Sequence, residues 1–217
     1  MQLPKVMIFC KAPIEGEAKT RLAKDIGNKS AIEVHRQLVK HCLDRVCALK
    51  SAEIELWAWP SKSHPYFKSI ENNYKISIRT QVDGNLGRKM AHAFCSGDQG
   101  QSKLIIGTDC PTVDVDYLER AIEVLKSGAD YVVGPAEDGG YVLIGMNDAD
   151  LRVFEDIDWG TDCVLRQTLE KMQGKINLLN TMWDVDNKCD LERLSREREI
   201  CKISPEFSSY LTKCIPG

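Results

Sequence analysis

Val6-Met7-Ile8-Phe9-Cys10 runs directly into Lys11-Ala12-Pro13-Ile14-Glu15-Gly16-Glu17-Ala18-Lys19-Thr20-Arg21-Leu22. The first stretch is a continuous apolar run of strand length, the pattern of a strand buried on both faces. The second is a loop with Pro, Gly and the cations Lys11, Lys19 and Arg21. In open α/β sheets ligands sit beyond the carboxyl ends of the strands. Cations placed there suit an anionic ligand, with phosphate the commonest. A solvated basic loop offset by Glu15 and Glu17 is the plainer alternative.

Working outward, short apolar runs alternate with helix-period segments. The expected strands are 5–10, 53–59, 75–79, 103–107, 130–134, 141–146 and 175–179. Ala31, Val34, Leu38, Val39, Cys42, Leu43 and Val46 recur at helical spacing, and 86–95, 115–126 and 163–172 read the same way. Thr161 is the expected N-cap of the last of these. The alternation predicts a three-layer α/β/α sandwich around a mostly parallel sheet. Segments 130–134 and 141–146 are too close for a helical crossover, so mixed strand directions are expected there. Residues 1–199 read as one domain and 200–217 as a carboxyl-terminal tail docked on it.

Composition narrows the function classes. A net charge of −3 gives no general pull toward nucleic acid or acidic membranes, and no segment approaches the length of an apolar membrane span. The nine cysteines form no C-x-x-C pair, which argues against zinc or dithiol chemistry; reduced thiols and a cytoplasmic location are expected. His35, His41, His64 and His92 have no metal-ligand spacing and read as structural or solvated. No Walker A, G-x-G-x-x-G or G-x-S-x-G pattern occurs.

Chemistry could sit at further points. Leu104-Ile105-Ile106-Gly107-Thr108-Asp109-Cys110-Pro111 carries Asp109 to a strand end, as a turn cap or as a hard-cation ligand. In Trp183-Asp184-Val185-Asp186, both acids share one face of an extended chain. They offer a second carboxylate source or, with Asp190, the N-cap of the helix that follows. Gly134-Pro135-Ala136-Glu137-Asp138-Gly139-Gly140-Tyr141 permits close backbone approach to a ligand, or simply a tight hairpin. Gln81-Val82-Asp83-Gly84-Asn85-Leu86-Gly87-Arg88-Lys89-Met90 leads a loop into a helix N-terminus, where anions bind.

Taken in this order, the segments resemble bacterial proteins of the nucleotide-diphospho-sugar transferase superfamily, the glycosyltransferase A fold. The resemblance rests on Lys11-Ala12-Pro13 with Gly16 and Lys19-Thr20-Arg21-Leu22, Gly84 to Met90, Gly107 to Pro111, Gly134 to Tyr141, Trp159-Gly160-Thr161, and Asp184-Val185-Asp186 with Asp190-Leu191. Asn187-Lys188-Cys189 departs from the usual Thr-Pro-Glu. The resemblance implies Mg²⁺ or Mn²⁺ held by Asp109 and Asp186. It implies nucleotide binding by Lys11, Ala12, Pro13, Gly16, Lys19, Arg21, Gly84, Leu86, Gly87 and Thr108. Acceptor contacts fall to Glu137, Asp138, Gly139, Gly140, Trp159 and Thr161. Lys19, Arg21, Asp109 and Asp138 would carry catalysis.

The expected activity is transfer from a nucleotide or nucleotide-sugar to a small-molecule acceptor. A glycosyltransferase would release a nucleoside diphosphate and a nucleotidyltransferase would release pyrophosphate. A nucleotide-binding module without turnover is the non-enzyme alternative. No nucleic-acid partner is expected, and the sequence leaves the oligomeric state open.

Overall fold

The structure is a computed structural model that describes residues 2–98, 100–199 and 201–214. Its strands are β1 (Lys5–Lys11), β2 (Glu53–Trp59), β3 (Ser77–Thr80), β4 (Lys103–Ile106), β5 (Tyr131–Pro135), β6 (Tyr141–Met146) and β7 (Ile176–Leu178). Its α-helices are α1 (Thr20–Ile26), α2 (Asn28–Val46), α3 (Pro65–Tyr74), α4 (Leu86–Phe94), α5 (Val115–Lys126), α6 (Val164–Lys171), α7 (Lys188–Arg196) and α8 (Pro205–Cys214), with a 3₁₀ turn at Leu151–Phe154.

The strands form one sheet in the order β3-β2-β1-β4-β6-β5-β7. All pairings are parallel except those of β6, which runs antiparallel to both β4 and β5. The chain builds leftward from β1 to β3 and then crosses to β4. The reversal leaves a crevice between β1 and β4 at their carboxyl ends, the position where open α/β sheets take ligands.

Strand alternation produces the three layers. Val6, Ile8 and Cys10 of β1 join Leu104, Ile106, Val132 and Leu143 against α2, α3 and α5. Met7 of β1 joins Ile105, Val133, Ile144 and Met146 on the other face, against α4, the 3₁₀ turn and the end of α6. β1 is therefore apolar at every interior position because both faces are covered.

A third cluster lies beside the crevice. Leu22 of α1, Val34 and Leu38 of α2, Trp183, Val185, Leu191 and Leu194 pack with Phe207 and Leu211 of α8. It joins the cationic loop at the front of the chain to the acidic segment near its end. The described part of the expected tail is helical and buries Phe207 and Leu211 here. Ile200 and residues 215–217 lie outside the described residues.

Local chemistry corrects two capping expectations. The helix after the acidic segment is capped by Asn187, whose side chain accepts from the Cys189 and Asp190 amides, while Asp190 completes a capping box. Thr161 does not cap α6: its Oγ1 donates to Asp158 O and accepts from the Cys163 amide in a local turn. All nine cysteines are free; Cys10, Cys42, Cys110 and Cys201 are buried, whereas Cys95 and Cys189 are exposed. Among the described residues no helix is long and apolar enough to cross a membrane.

Candidate functional site

The loop from β1 reaches Lys19, a left-handed residue (φ 51°, ψ 42°) at the head of α1. That conformation is unfavourable for a side chain with a Cβ, so the surroundings must hold it. They do so through the ammonium group. Lys19 Nζ donates to Val185 O at 2.6 Å and lies 2.9 Å from Asp109 Oδ2 and 3.4 Å from Asp186 Oδ1. The Lys19 side chain is 2% exposed. Burial alone would lower its pKa, but the carboxylates of Asp109 and Asp186 overcome this and raise it.

Backbone pairing brings the two acids together. Asp109 follows β4 at the crevice. Met182 bridges to Ala136 beyond the end of β5, and the Val185 amide donates to Asp109 O at 3.0 Å. Asp186 is thereby set beside Asp109, and its second oxygen lies 3.4 Å from Arg21 Nη1.

One contact in this group lacks a hydrogen. His35 of α2, which is 3% exposed, places Nε2 3.0 Å from Lys11 O. A carbonyl only accepts, so Nε2 carries the proton. Burial lowers the His35 pKa, despite the opposing pull of Asp109. Bare Nδ1 then faces Asp109 Oδ1 at 3.9 Å, and both atoms are buried with no hydrogen-bond partner. For Asp109, burial opposes ionisation, but the Lys19 ammonium holds its pKa below the usual carboxylate value.

Two adjoining lobes open from this point. The first, about 490 Å³, is lined by Phe9, Lys11, Lys19, Arg21, Gln81, Lys89 and Thr108, among others. Gln81 is buried and its Nε2 donates to Trp57 O at 2.7 Å. Lys89 Nζ sits 3.4 Å from the centroid of the Trp59 ring. The second lobe, about 500 Å³, is lined by Asp138, Gly140, Tyr141, Trp159, Thr161 and Asp184, among others. Arg21, Leu86, Gly107, Asp109 and Asp186 belong to both. Leu86 is 46% exposed, unusual for so large an apolar side chain at a helix start. Burial and then the neighbouring Asp186 and Asp138 push the Asp184 carboxyl up to about 6.

Several expected contacts fall elsewhere. Ala12 and Pro13 are buried, and neither they nor Gly16, Gly84 and Gly87 line a lobe. Gly87 lets α4 pack closely: a Cβ there would lie 2.7 Å from the Trp159 ring. Gly139 (φ +86°) turns against the backbone of Asp162 rather than toward a ligand, and its carbonyl accepts from Leu165 N at 2.8 Å. Glu137 points outward to Arg193 of α7 at 2.7 Å. Conversely, His35, Gln81, Lys89, Tyr141 and Asp162 line the lobes without having been expected as site residues, and Asp184, offered with Asp186 as a carboxylate source, lines the second. Asp184 had a visible signal in its alternation with Asp186. His35 had none, because its place on the apolar stripe of α2 reads as core.

The donor set suits a hard cation. Asp109 and Asp186 offer oxygen only, and Asp109 Oδ1 has no partner. Among the described residues, no three His, Cys, Asp or Glu side chains converge to hold an ion. A cation here would need oxygens from substrate, the usual arrangement for Mg²⁺.

A family model described as an uncharacterized protein conserved in bacteria (DUF2064) matches residues 42–161, a span that includes Asp109, Asp138 and Trp159. No curated protein matches the chain in sequence. A Desulfovibrio desulfuricans G20 protein provisionally described as a nucleotide-diphospho-sugar transferase superposes with TM-score 0.83 at 26% identity, over 99% of both chains. The 4-diphosphocytidyl-2C-methyl-D-erythritol synthase of Anaerococcus prevotii DSM 20548 shares the fold at TM-score 0.63 and 13% identity, over 91% of this chain and 96% of that one. Rv0371C of Mycobacterium tuberculosis H37Rv, solved with manganese, does so at TM-score 0.51 and 15% identity, over 89% and 98%.

Proposed function

The chain belongs to the DUF2064 family of bacterial proteins, and from the geometry of its crevice we propose that it is a divalent-cation-assisted transferase acting on a nucleotide or nucleotide-sugar. The observation that carries this reading is Lys19, buried in the wall of the first lobe between Asp109 and Asp186, the two acids that both lobes share at the β1–β4 crevice. The first lobe would take the nucleotide. Strands lie about 4.8 Å apart, so the line from the end of β3 to the end of β4 spans roughly 14 Å, the scale of a nucleotide laid across the sheet. Gln81 stands at one end of that line and Asp109 at the other. Lys11, Lys19, Arg21 and Lys89 would offset phosphate charge.

Asp109 and Asp186 would hold Mg²⁺ or Mn²⁺, which when bound neutralises charge on the leaving phosphates. The unpartnered Asp109 Oδ1 supports this assignment. Lys19 holds the two carboxylates in register, and Arg21, exposed on the shared wall and 3.4 Å from Asp186, would add positive charge beside the leaving group. The second lobe would seat the acceptor, with Asp138 and Asp184 beside it. The four cations of the first lobe favour a triphosphate donor and hence nucleotidyl transfer as a second version of the same chemistry.

Thermal shift against a panel of nucleoside triphosphates and nucleotide-sugars, with and without Mn²⁺, tests the reading. A ligand at 100 times its Kd stabilises by about 2.7 kcal/mol. Cation-dependent stabilisation by at least one member is expected, and a flat response across the panel would refute the assignment. Pyrophosphate release from a triphosphate then marks nucleotidyl transfer, and nucleoside diphosphate release from a nucleotide-sugar marks glycosyl transfer.

A further inference from the structure

The two lobes differ sharply in charge. The first sets Lys11, Lys19, Arg21 and Lys89 against Glu17 and the shared Asp109 and Asp186. The second has Asp109, Asp138, Asp162, Asp184 and Asp186, and its one cation is Arg21. Arg21 already faces Asp186, while Asp109 and Asp186 share Lys19. Asp138, Asp162 and Asp184 remain, and among the described residues none of them has an ion-pair partner within 4.0 Å. Asp138 accepts only the Gly140 amide, at 2.9 Å, and Asp162 only the Cys163 thiol, at 3.5 Å. Most of their lone pairs are open. Tyr141 and Trp159 also line the lobe, and the Trp159 indole N–H is buried with no partner.

We propose that the second lobe selects an acceptor that bears hydroxyl groups and carries no negative charge, a polyol, sugar or amino sugar rather than a phosphorylated or carboxylated compound. This rests on the assignment of the two lobes given above. A cavity of about 500 Å³ accommodates a small molecule of this kind. Hydroxyl and ammonium hydrogens donate to carboxylates in strong charge-assisted bonds. Hydroxyl oxygens can accept from an indole N–H, and aromatic walls suit the apolar face of a sugar ring. A phosphate in the same place would meet three unpaired carboxylates, and its one arginine is already engaged. Like charges brought together this way are strongly disfavoured.

In the reaction, the acceptor oxygen forms the new bond to the anomeric carbon of a nucleotide-sugar or the α-phosphorus of a triphosphate. The bond from that atom to the nucleoside diphosphate or pyrophosphate breaks, and its electron pair leaves with that group. The hydroxyl proton passes to a carboxylate of the lobe and on to water.

The test uses the full-length protein, Mn²⁺ and a nucleotide whose binding has first been measured by calorimetry. A small-molecule extract is split by anion exchange into retained and unretained fractions, and the unretained part is split again by cation exchange into polyols and amines. Release of pyrophosphate or nucleoside diphosphate is read with each. Turnover with an unretained fraction is expected. Turnover confined to the retained anions, or turnover with no fraction, overturns the inference while nucleotide binding stands. If no nucleotide binds, the broader reading fails and this one with it. With a productive acceptor, Asp162→Lys should lower kcat/KM by about tenfold or more through KM while the nucleotide Kd holds. An unchanged acceptor KM in that variant also overturns the proposal.

Discussion

Lys19 Nζ lies 2.9 Å from Asp109 Oδ2, and this ion pair ties the loop after β1 to the loop after β4 across the crevice between them. The lysine is buried and the aspartate is 40% exposed. The asymmetry decides what each substitution does. Removing the aspartate leaves the buried ammonium with Asp186 and Val185 O alone, whereas removing the lysine leaves two partly exposed acids without their shared cation, one of them with a buried oxygen.

Lys19→Met should therefore cost about 1–2 kcal/mol of stability, toward the low end for loss of a paired buried charge. Nucleotide binding should weaken at least tenfold, with or without divalent ion. Urea unfolding and calorimetry measure the two effects. Wild-type affinity in this variant would remove Lys19 from the phosphate site.

Asp109→Asn should keep residual nucleotide binding but abolish its dependence on Mn²⁺ or Mg²⁺. The amide keeps the shape and loses the charge a hard cation needs. Titration of nucleotide at fixed and at zero cation is the measurement. A surviving cation effect would locate the ion elsewhere.

Asp184→Asn should stabilise the fold at pH 7.5 and not at pH 4. The folded protein holds the Asp184 carboxyl at about 6, above the value of about 3.9 in an unfolded chain. Below both values the group is protonated in either state, so the substitution changes little. As pH rises past 3.9 the unfolded chain ionises first, and the penalty of the folded carboxylate is complete above 6. The Tm difference between variant and wild type should grow across that window and then level off. A pH-independent difference would contradict this.

Gly139→Ala should destabilise by about 1–3 kcal/mol. Its φ of +86° disfavours any Cβ, and the added carbon would collide with the Asp162 carbonyl oxygen and Cα. Loss of Tm should come with loss of acceptor-dependent turnover ahead of nucleotide binding, because the turn supports the second lobe. Wild-type stability would mean that the hairpin is not pinned to the 159–164 loop.

The layering was legible because it follows from apolar periodicity. Strands buried on both faces announce themselves, and the short link between 130–134 and 141–146 correctly implied an antiparallel pair. α3 escaped notice because it buries only Phe67 and Ile70, too few positions to show a period. α1 is two turns long, lacks a side-chain cap and begins at a left-handed lysine, so its sequence reads as loop. Asp109 could be proposed in advance because it lies just beyond β4, and Lys19 and Asp186 because they sit in the loops that follow β1 and β7. His35 and Gln81 could not, because what sets them apart is a main-chain carbonyl from another element: Lys11 O for one and Trp57 O for the other. The contact of Glu137 with Arg193 of α7 was likewise invisible in the sequence, because the two are 56 positions apart.

The packing of Leu22 and Val185 with Phe207 and Leu211 of α8 has a bearing on synthesis. Lys19 and Asp186 are 167 positions apart, and six of the seven strands lie between them. The acid and the helix that buttresses it therefore leave the ribosome after every strand of the sheet. The crevice is closed by a segment made later than the sheet it closes, so its assembly is a late step in the folding of this chain.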